Sequence, residues 1–349
     1  MYASAQGPAM ITATIPVQMA TIETGRSTRE ENTTTAARPG GLARLVRAAV
    51  AIGLTALLLW QSDPDAVWQA ARGADWRFIL LACALVAVDR ILMAYRWWTL
   101  LIPLDTGRPP LGIVMRIFFV STFVGTFLPA SVGGDAVRAY GLSKEGVGGV
   151  DAVASVLMDR LLGVVSILIV AIGGAILARE LIDIRALFPA LAVLTVLCAA
   201  ALAVVFSPRA AVGIARALAL LPRGRETGAK LVAAIQRYAA FHMPIANVLL
   251  CSIAVQILRV LQTYCLGLAL GLAVPLGVYF ALVPIILLIV LMPITINGIG
   301  TTQAGFVWLF GRAGIASAPA FALSVLFLGI AVVGNLPGAA LYLFGGKRT

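Results

Sequence analysis

Long apolar stretches alternate with short polar connections along almost the whole chain. Most of these stretches are close to the roughly 20 residues with which a helix crosses a hydrocarbon core. None shows the alternating pattern of short strands that builds a membrane β-barrel. The pattern therefore predicts an all-α polytopic membrane protein. The apolar segments fall at about 42–60, 76–101, 111–129, 150–178, 186–207, 245–271, 276–296 and 317–344.

Two breaks containing proline and glycine interrupt this pattern where a membrane helix would otherwise continue. The first is PASVGG at 129–134, and the second is PITING at 293–298. A broken helix leaves backbone N–H and C=O groups that lipid cannot satisfy, at a cost of several kcal/mol each. Such breaks are tolerated where they pack in protein or line a polar cavity. We therefore expect the two breaks to meet and build one site.

The distribution of Lys and Arg predicts the orientation of these segments. The N-terminal flank, the 208–242 connection and the C-terminus are rich in basic residues, which is typical of cytoplasmic flanks. With those parts inside, the segments at about 111–143 and 276–313 each enter and leave on one side, from opposite faces of the membrane. We therefore predict about six spanning helices and two re-entrant broken-helix hairpins. The 208–242 connection is predicted to lie on the inner surface as an amphipathic helix, with a solvated linker as the alternative for its first half.

The two halves of the chain resemble each other in sequence. LLACALVAVDRILMAYRWWTLL in the first half aligns with LLCSIAVQILRVLQTYCLGLAL in the second, which pairs Arg90 with Arg259. The two breaks also share the pattern P-x-[ST]-[VI]-x-G. Because the predicted orientation of the second half is opposite to that of the first, we predict an inverted 4+4 repeat, each unit being helix, helix, hairpin, helix. The repeats are predicted at about 42–178 and 186–345.

Composition argues against several other classes of protein. Hydrophobic residues make up 61% of the chain and charged residues 12%, which is far from the balance of a soluble domain. The net charge of +11 is explained by cytoplasmic flanks, so we predict no nucleic-acid partner. His242 is the only histidine and all four cysteines lie in apolar runs, so we predict neither a metal site nor a cofactor. Residues 1–41 are rich in Thr, Ala and Gly, which predicts a disordered cytoplasmic tail.

Arginines inside the apolar segments are the leading candidates for function. Arg90 and Arg259 lie more than halfway along their segments, where a charge costs about 2.5–3.5 kcal/mol on insertion scales. A guanidinium matches the oxygens of a phosphate, so both are candidates for binding an anionic lipid headgroup. Arg96, which lies closer to the helix end, is predicted to snorkel to the interface. The alternative for the first two is a structural ion pair with neighbouring charges, of which Asp89, Asp159 and Arg160 are available.

Residues around the two breaks complete the predicted site. Asp135 and Arg138 follow the first break, where they either close its cytoplasmic mouth or are ordinary loop charges. Neutral polar groups around the second break either hydrogen-bond a headgroup or only cap the broken helix. The predicted headgroup-binding residues are Arg90, Arg259, Ser131, Gly133, Gly134, Asp135, Arg138, Asp159, Arg160, Thr295, Asn297, Gly298, Gly300 and Gln303.

At these positions the chain resembles the transmembrane region of the lysylphosphatidylglycerol synthase family, a flippase-like integral membrane domain. The resemblance rests on RWWTLL, FVGTFLPASVGGDAVRAYGL, DRLLG and PITINGIGTTQAGFVWLF, and it covers about 42–345. It implies a domain that translocates aminoacylated phosphatidylglycerol, while a separate C-terminal cytosolic domain attaches the amino acid. Stand-alone members are associated with moving other lipids. The sequence ends at Thr349 without that second domain, so we expect this polypeptide alone not to be an enzyme.

Three functions fit the sequence. The first is a lipid translocator that moves an anionic or aminoacylated phospholipid, or a related lipid, between leaflets through a central cavity. The second is a polyprenyl-phosphate-dependent membrane glycosyltransferase, for which Asp63 and Asp65 supply a carboxylate pair in an outward loop. The third is a non-catalytic scaffold for a lipid-modifying enzyme partner. We predict the first, in the inner (plasma) membrane with both termini cytoplasmic and with membrane lipids as partners.

Overall fold

Helices form all the regular secondary structure in the part of the chain that the structure describes, which confirms the predicted all-α fold. The structure is a computed structural model, and it describes residues 65, 68–69, 72–104, 107–127, 132–180, 188–219, 224–291 and 298–344. The helices are α1 (Trp76–Thr99), α2 (Leu111–Phe127), α3 (Val132–Lys144), α4 (Gly149–Leu177), α5 (Phe188–Phe206), α6 (Pro208–Ala219), α7 (Gly224–Arg237), α8 (His242–Ala269), α9 (Leu276–Leu291), α10 (Thr301–Arg312) and α11 (Ser317–Phe344), with a short 3-10 helix at Tyr238–Ala240.

Four helices in the described part of the chain are long and apolar enough to cross a membrane, namely α1, α4, α8 and α11. Helices α5 and α6 add a fifth span if they are counted together, although they meet at an angle of 102°. Pro208 begins α6 at this bend, where its ring and missing N–H prevent α5 from continuing straight. These helices confirm a multi-pass membrane protein. The predicted segment 42–60 lies outside the described residues, so the count of six spans stays a prediction.

The first break joins two antiparallel helices. Helix α2 is too short to be counted as a span, and α3 runs back along it. Gly134 and Gly125 lie against each other near the break, and Gly141 lies against Ile117 farther from it. These glycines are needed because an added Cβ at Gly125 would come within 3.0 Å of the Gly134 Cα atom. The turn itself, at 128–131, lies outside the described residues, and re-entry of this hairpin into the membrane stays a prediction.

The second break has the same arrangement. Helices α9 and α10 are antiparallel, because Gly305 of α10 lies against Ile286 of α9 while Gly298, just before α10, lies against Val290. Gly300 precedes α10 with a φ of 87°, a left-handed conformation that favours glycine. Residues 292–297, which contain most of this break, lie outside the described residues.

Three helices from the first half of the sequence each pack on a helix from the second half. Helix α1 packs along α8, α4 packs on α9, and α11 packs on α2. In the last two pairs a glycine meets a backbone: Gly174 of α4 lies on the carbonyl of Phe280, and Gly338 of α11 lies on the carbonyl of Phe119. Each final helix of one predicted repeat thus packs on the first hairpin arm of the other. The inverted orientation of the repeats stays a prediction.

The predicted connection at 208–242 is helical for most of its length. Helix α6 covers Pro208–Ala219, so the linker interpretation of the first half is wrong for those residues. Helix α7 packs on α4, and Arg237 at its end forms an ion pair with Asp151 in the first turn of α4. Tyr238, just after α7, is buried. These contacts fix α7 to the helical bundle, and its place on the inner membrane surface stays a prediction.

Candidate functional site

A cavity of about 530 Å³ lies among α1, α4, α8, α11 and the two hairpins. Its charged lining residues are the arginines Arg90, Arg96, Arg138, Arg160 and Arg259 and the aspartates Asp89, Asp135 and Asp159. When all of these side chains are ionised, five arginines against three aspartates leave a formal excess of two positive charges. The cavity therefore collects charges from distant parts of an otherwise apolar sequence.

Asp159 of α4 is the centre of a buried ion cluster. Its carboxylate lies 2.6 Å from Arg96 of α1 and 2.8 Å from Arg138 of α3. Arg96 also donates to the hydroxyl of Ser252 on α8 at 3.1 Å, and the Arg138 guanidinium lies 4.8 Å from the Trp97 ring centroid. All three charged side chains are at most 7% exposed. Because each partner comes from a different helix, this cluster joins α1, α3, α4 and α8.

Asp89 of α1 is the centre of a second cluster. Its two carboxylate oxygens accept from Arg259 Nε of α8 at 3.2 Å and from Arg90 Nη1 at 3.4 Å. Both arginines also donate to the Met93 sulfur, Arg259 at 3.1 Å and Arg90 at 3.7 Å. The two arginines that the sequence repeat pairs therefore meet at one carboxylate. The ion pair with Asp89, one of the two interpretations, is present, and headgroup binding by these arginines stays a prediction.

A third ion pair fastens the first hairpin to α4. Arg160 Nε donates to the Asp135 carboxylate at 2.7 Å, and the two side chains are 38% and 21% exposed. Asp135 and Arg138 both lie within α3 and bind successive residues of α4, so the interpretation of them as loop charges is wrong. Their role in closing a cytoplasmic mouth stays a prediction.

Side chains after the second break bond to the backbone, and that of Gln303 caps α10. The Gln303 side-chain oxygen accepts from the Gly300 backbone N–H at 2.6 Å, and the Thr302 hydroxyl donates to the Gly298 carbonyl at 2.7 Å. Gln303 is 3% exposed and does not line the cavity, whereas Thr302 does. Capping, which is the alternative interpretation, accounts for Gln303, because its acceptor oxygen is occupied by the backbone.

We expect Gln303→Ala to lower the free energy of unfolding without changing headgroup specificity. The substitution leaves a buried N–H of Gly300 without its acceptor, at a cost of about 1–3 kcal/mol. Thermal unfolding of the purified protein measures the loss, and lipid binding by the fraction that remains folded tests specificity. A change in lipid preference at unchanged stability would instead favour the headgroup role.

The structure brings half of the predicted headgroup set together around the cavity. The predicted residues that line it are Arg90, Gly134, Asp135, Arg138, Asp159, Arg160 and Arg259. The predicted residues that are described but do not line it are Gly133, Gly298, Gly300 and Gln303. The remaining three, Ser131, Thr295 and Asn297, lie outside the described residues.

Arg96 is a cavity residue that the sequence interpretation missed. The prediction that Arg96 snorkels to the interface is wrong, because the residue is 4% exposed and ion-paired inside the bundle. Asp89, Met93 and Arg96 are spaced by four and three residues, which places them on one helix face. Two charged residues, Asp89 and Arg96, on one face of an apolar helix are the signal that identifies Arg96.

Neutral polar residues on α8 and α11 also line the cavity and were missed. Gln256 donates to the Ser166 hydroxyl at 3.3 Å, and Asn335 donates to the Thr126 hydroxyl at 2.9 Å. Gln262, like Gln256, is at most 4% exposed. These amides add polar groups to the cavity wall outside the ion clusters.

The fold and the cavity together define a multi-pass helical membrane protein with a cationic internal cavity. Residues 44–338 match the family described as lysylphosphatidylglycerol synthase TM region, so the chain belongs to that family. A UPF0104 membrane protein of Pyrococcus horikoshii is 27% identical over 123 residues, which cover 34% of this chain and 36% of the relative. No solved structure matches the chain.

Proposed function

We propose that this protein moves a lipid with an anionic headgroup between the leaflets of the inner membrane. The observation that carries the proposal is the excess of two positive charges in a cavity of about 530 Å³ between membrane helices. Cavities of roughly 300–1,000 Å³ are typical of small-ligand sites. Ionisable residues within membrane segments commonly mark a substrate path. A phosphate group is the natural partner, because guanidinium groups bind its oxygens in a fork.

Apolar residues in the same cavity support a lipid rather than a soluble anion. Leu287 and Val290 of α9 and Phe327 and Val332 of α11 contribute to its lining. Val332 is 48% exposed on the bundle, so the lining includes a residue that is also accessible from outside. A headgroup held by the arginines would leave its acyl chains against these residues. The family description favours a phosphatidylglycerol-type headgroup.

Transport in this proposal needs no nucleotide bound to the chain. The sequence contains no G-x-x-x-x-G-K-[ST] phosphate loop. The driving force is therefore a gradient, a partner or downhill lipid flow. A lipid-modifying enzyme that supplies the substrate in one leaflet is a suitable partner, and cytoplasmic termini would place that exchange on the inner side.

We expect Arg259→Gln to slow lipid movement while the protein still folds. Arg259 is 20% exposed at the side chain and contacts Asp89 in the cavity. Removal of one charged donor worth about 1.5–3 kcal/mol predicts a rate reduction of about tenfold or more. Liposomes with a dithionite-quenchable fluorescent phosphatidylglycerol measure the rate directly.

The matched control is Arg179→Gln, because Arg179 is 73% exposed after the end of α4 and does not line the cavity. It should move lipid at the wild-type rate. If wild-type protein gives only the protein-free level of bleaching with several anionic lipids, the translocator proposal fails. If Arg179→Gln slows transport as much as Arg259→Gln, the cavity is not the path.

A further inference from the structure

The two ion clusters in the cavity differ in how tightly they hold their aspartates. The Asp159 carboxylate lies 2.6 and 2.8 Å from its two arginines, whereas Asp89 accepts at 3.2 and 3.4 Å. Charge-assisted N–H···O bonds are usually about 2.7–2.9 Å long. The contacts of Asp89 are thus long for ion pairs, even though its side chain is only 3% exposed.

The two arginines beside Asp89 also direct N–H donors at a weak acceptor, the sulfur of Met93. Arg90 and Arg259 both contact the Met93 sulfur, and a thioether accepts hydrogen bonds poorly. Arg90 Nε is buried and has no hydrogen-bond partner among the described residues. Their side chains are 14% and 20% exposed, more than those of Arg96 and Arg138. These two arginines therefore keep donor capacity that a better acceptor in the cavity would use.

The Asp89 cluster offers a ligand a net charge of +1. Two arginines against the Asp89 carboxylate leave one positive charge. The other positive charge of the cavity belongs to the Asp159 cluster. Its arginines make short contacts to Asp159, and they also contact Ser252 and the Trp97 ring, although Arg96 Nε, like Arg90 Nε, has no hydrogen-bond partner among the described residues. In a low-dielectric cavity a ligand that neutralises the local charge is favoured over one that leaves a net charge.

We infer that Asp89 is the resident counterion of the Arg90–Arg259 pair and that it sets the accepted headgroup phosphate at one negative charge. This inference rests on the proposed function. A phosphodiester headgroup carries one charge and neutralises the cluster. A phosphomonoester, whose second pKa is about 6, carries close to two charges at pH 8 and leaves the cluster negative. Asp89 therefore selects phosphodiester lipids by charge, while the arginines supply the attraction.

A charge series at this cluster tests the inference. Arg90→Gln lowers the local charge to zero, Asp89→Asn raises it to +2, and the double variant Asp89→Asn/Arg90→Gln restores +1. Purified proteins in detergent at pH 8 are titrated with fluorescent short-chain phosphatidylglycerol and phosphatidic acid. The readout is the ratio of the two dissociation constants, which does not require transport.

We expect Asp89→Asn to shift this ratio toward phosphatidic acid by about tenfold or more relative to wild type, since it removes one charge beside the ligand. The double variant should return the ratio to the wild-type value, and Arg90→Gln should shift it in the opposite direction. If Asp89→Asn does not fold, the other three proteins still test the role of Asp89. The ratio should be the same in wild type and the double variant and should shift toward phosphatidylglycerol in Arg90→Gln. An unchanged ratio across the folded variants would overturn the role of Asp89.

The same titrations separate this inference from the proposed function. Wild-type protein that binds neither lipid contradicts the translocator proposal and removes the basis for a role of Asp89. Wild-type binding with a ratio that is insensitive to the charge series contradicts only the inference about Asp89. Glycerophosphoglycerol, a phosphodiester with the charge of phosphatidylglycerol but without acyl chains, is titrated as a competitor and should bind at least about tenfold more weakly than phosphatidylglycerol. Equal binding would assign the site to a soluble phosphate ester and overturn the lipid assignment.

Discussion

Asp159→Asn is expected to leave little folded protein. The substitution removes the only carboxylate that Arg96 and Arg138 share in the described structure, and both arginines are at most 7% exposed. Breaking a buried ion pair from one side costs about 3–5 kcal/mol, because the remaining charge stays buried without its counterion. Here two such charges remain. Because the total free energy of unfolding of a protein is typically only about 5–15 kcal/mol, such a loss greatly raises the unfolded population.

The yield of monodisperse protein in size-exclusion chromatography and the midpoint of thermal unfolding measure this effect. Asp135→Asn is the matched control, because Asp135 is 21% exposed and its partner Arg160 is 38% exposed. A pair of that exposure contributes about 0–1 kcal/mol, so the control should express and melt nearly as wild type does. If both variants behave alike, the Asp159 cluster does not hold the four helices together.

A charge-balanced variant shows whether charge or shape is responsible. Arg96→Gln/Asp159→Asn removes one charge of each sign and leaves Arg138 with the same net +1 as the native cluster. It should recover part of the yield that Asp159→Asn loses. Recovery would identify the buried positive charge as the cause of unfolding. Equal losses in the single and double variants would identify lost packing or hydrogen bonding instead.

The sequence predicts the helices well, because length and apolarity suffice to identify membrane segments. Helices α1, α4, α8 and α11 each lie within or close to a predicted apolar segment. The two breaks are also predictable, since proline and glycine interrupt apolar runs at matching places. The alignment of the two halves pairs Arg90 with Arg259 but does not predict that they meet; the structure brings them together at Asp89 because α1 packs along α8.

The partners of the charged residues were harder to predict. Arg259 contacts Asp89, which is 170 residues away in sequence, and no local rule selects that aspartate over Asp159. The position of Arg96 near the helix end favours the interface, but tertiary packing decides whether such a side chain reaches water. Gln303 was ambiguous because one amide serves equally as a cap or as a ligand group, and only the position of the Gly300 N–H distinguishes them.

Gly174→Ala is expected to separate α4 from α9 and to impair both stability and transport. The Phe280 carbonyl lies where a Cβ at Gly174 would be built, and the next backbone nitrogen, of Ala281, is also within van der Waals distance. A backbone cannot move aside by changing a rotamer, so the two helices must shift apart. Overpacking of this kind costs about 1–3 kcal/mol.

Gly173→Ala is the matched control one residue away on the same helix. No atom outside the neighbouring helical backbone lies within 4 Å of a Cβ at that position. Alanine also has a higher helix propensity than glycine by about 1 kcal/mol in an exposed helix, so this variant should be at least as stable as wild type. Equal thermal midpoints for the two variants would contradict the close approach of α4 and α9.

The pair α2 and α11 has the same contact of a glycine with a backbone carbonyl, so it extends the test to the predicted repeat. Gly338 of α11 lies on the carbonyl of Phe119 in α2, so Gly338→Ala should cause a loss of stability similar to that of Gly174→Ala. Both pairs form walls of the cavity, with Asp159 and Arg160 on α4 and Asn335 on α11. A shift of either pair therefore displaces polar groups around the headgroup, and lipid movement should slow in both variants. A loss in only one of them would mean that the two halves do not contribute equally to holding the cavity in shape.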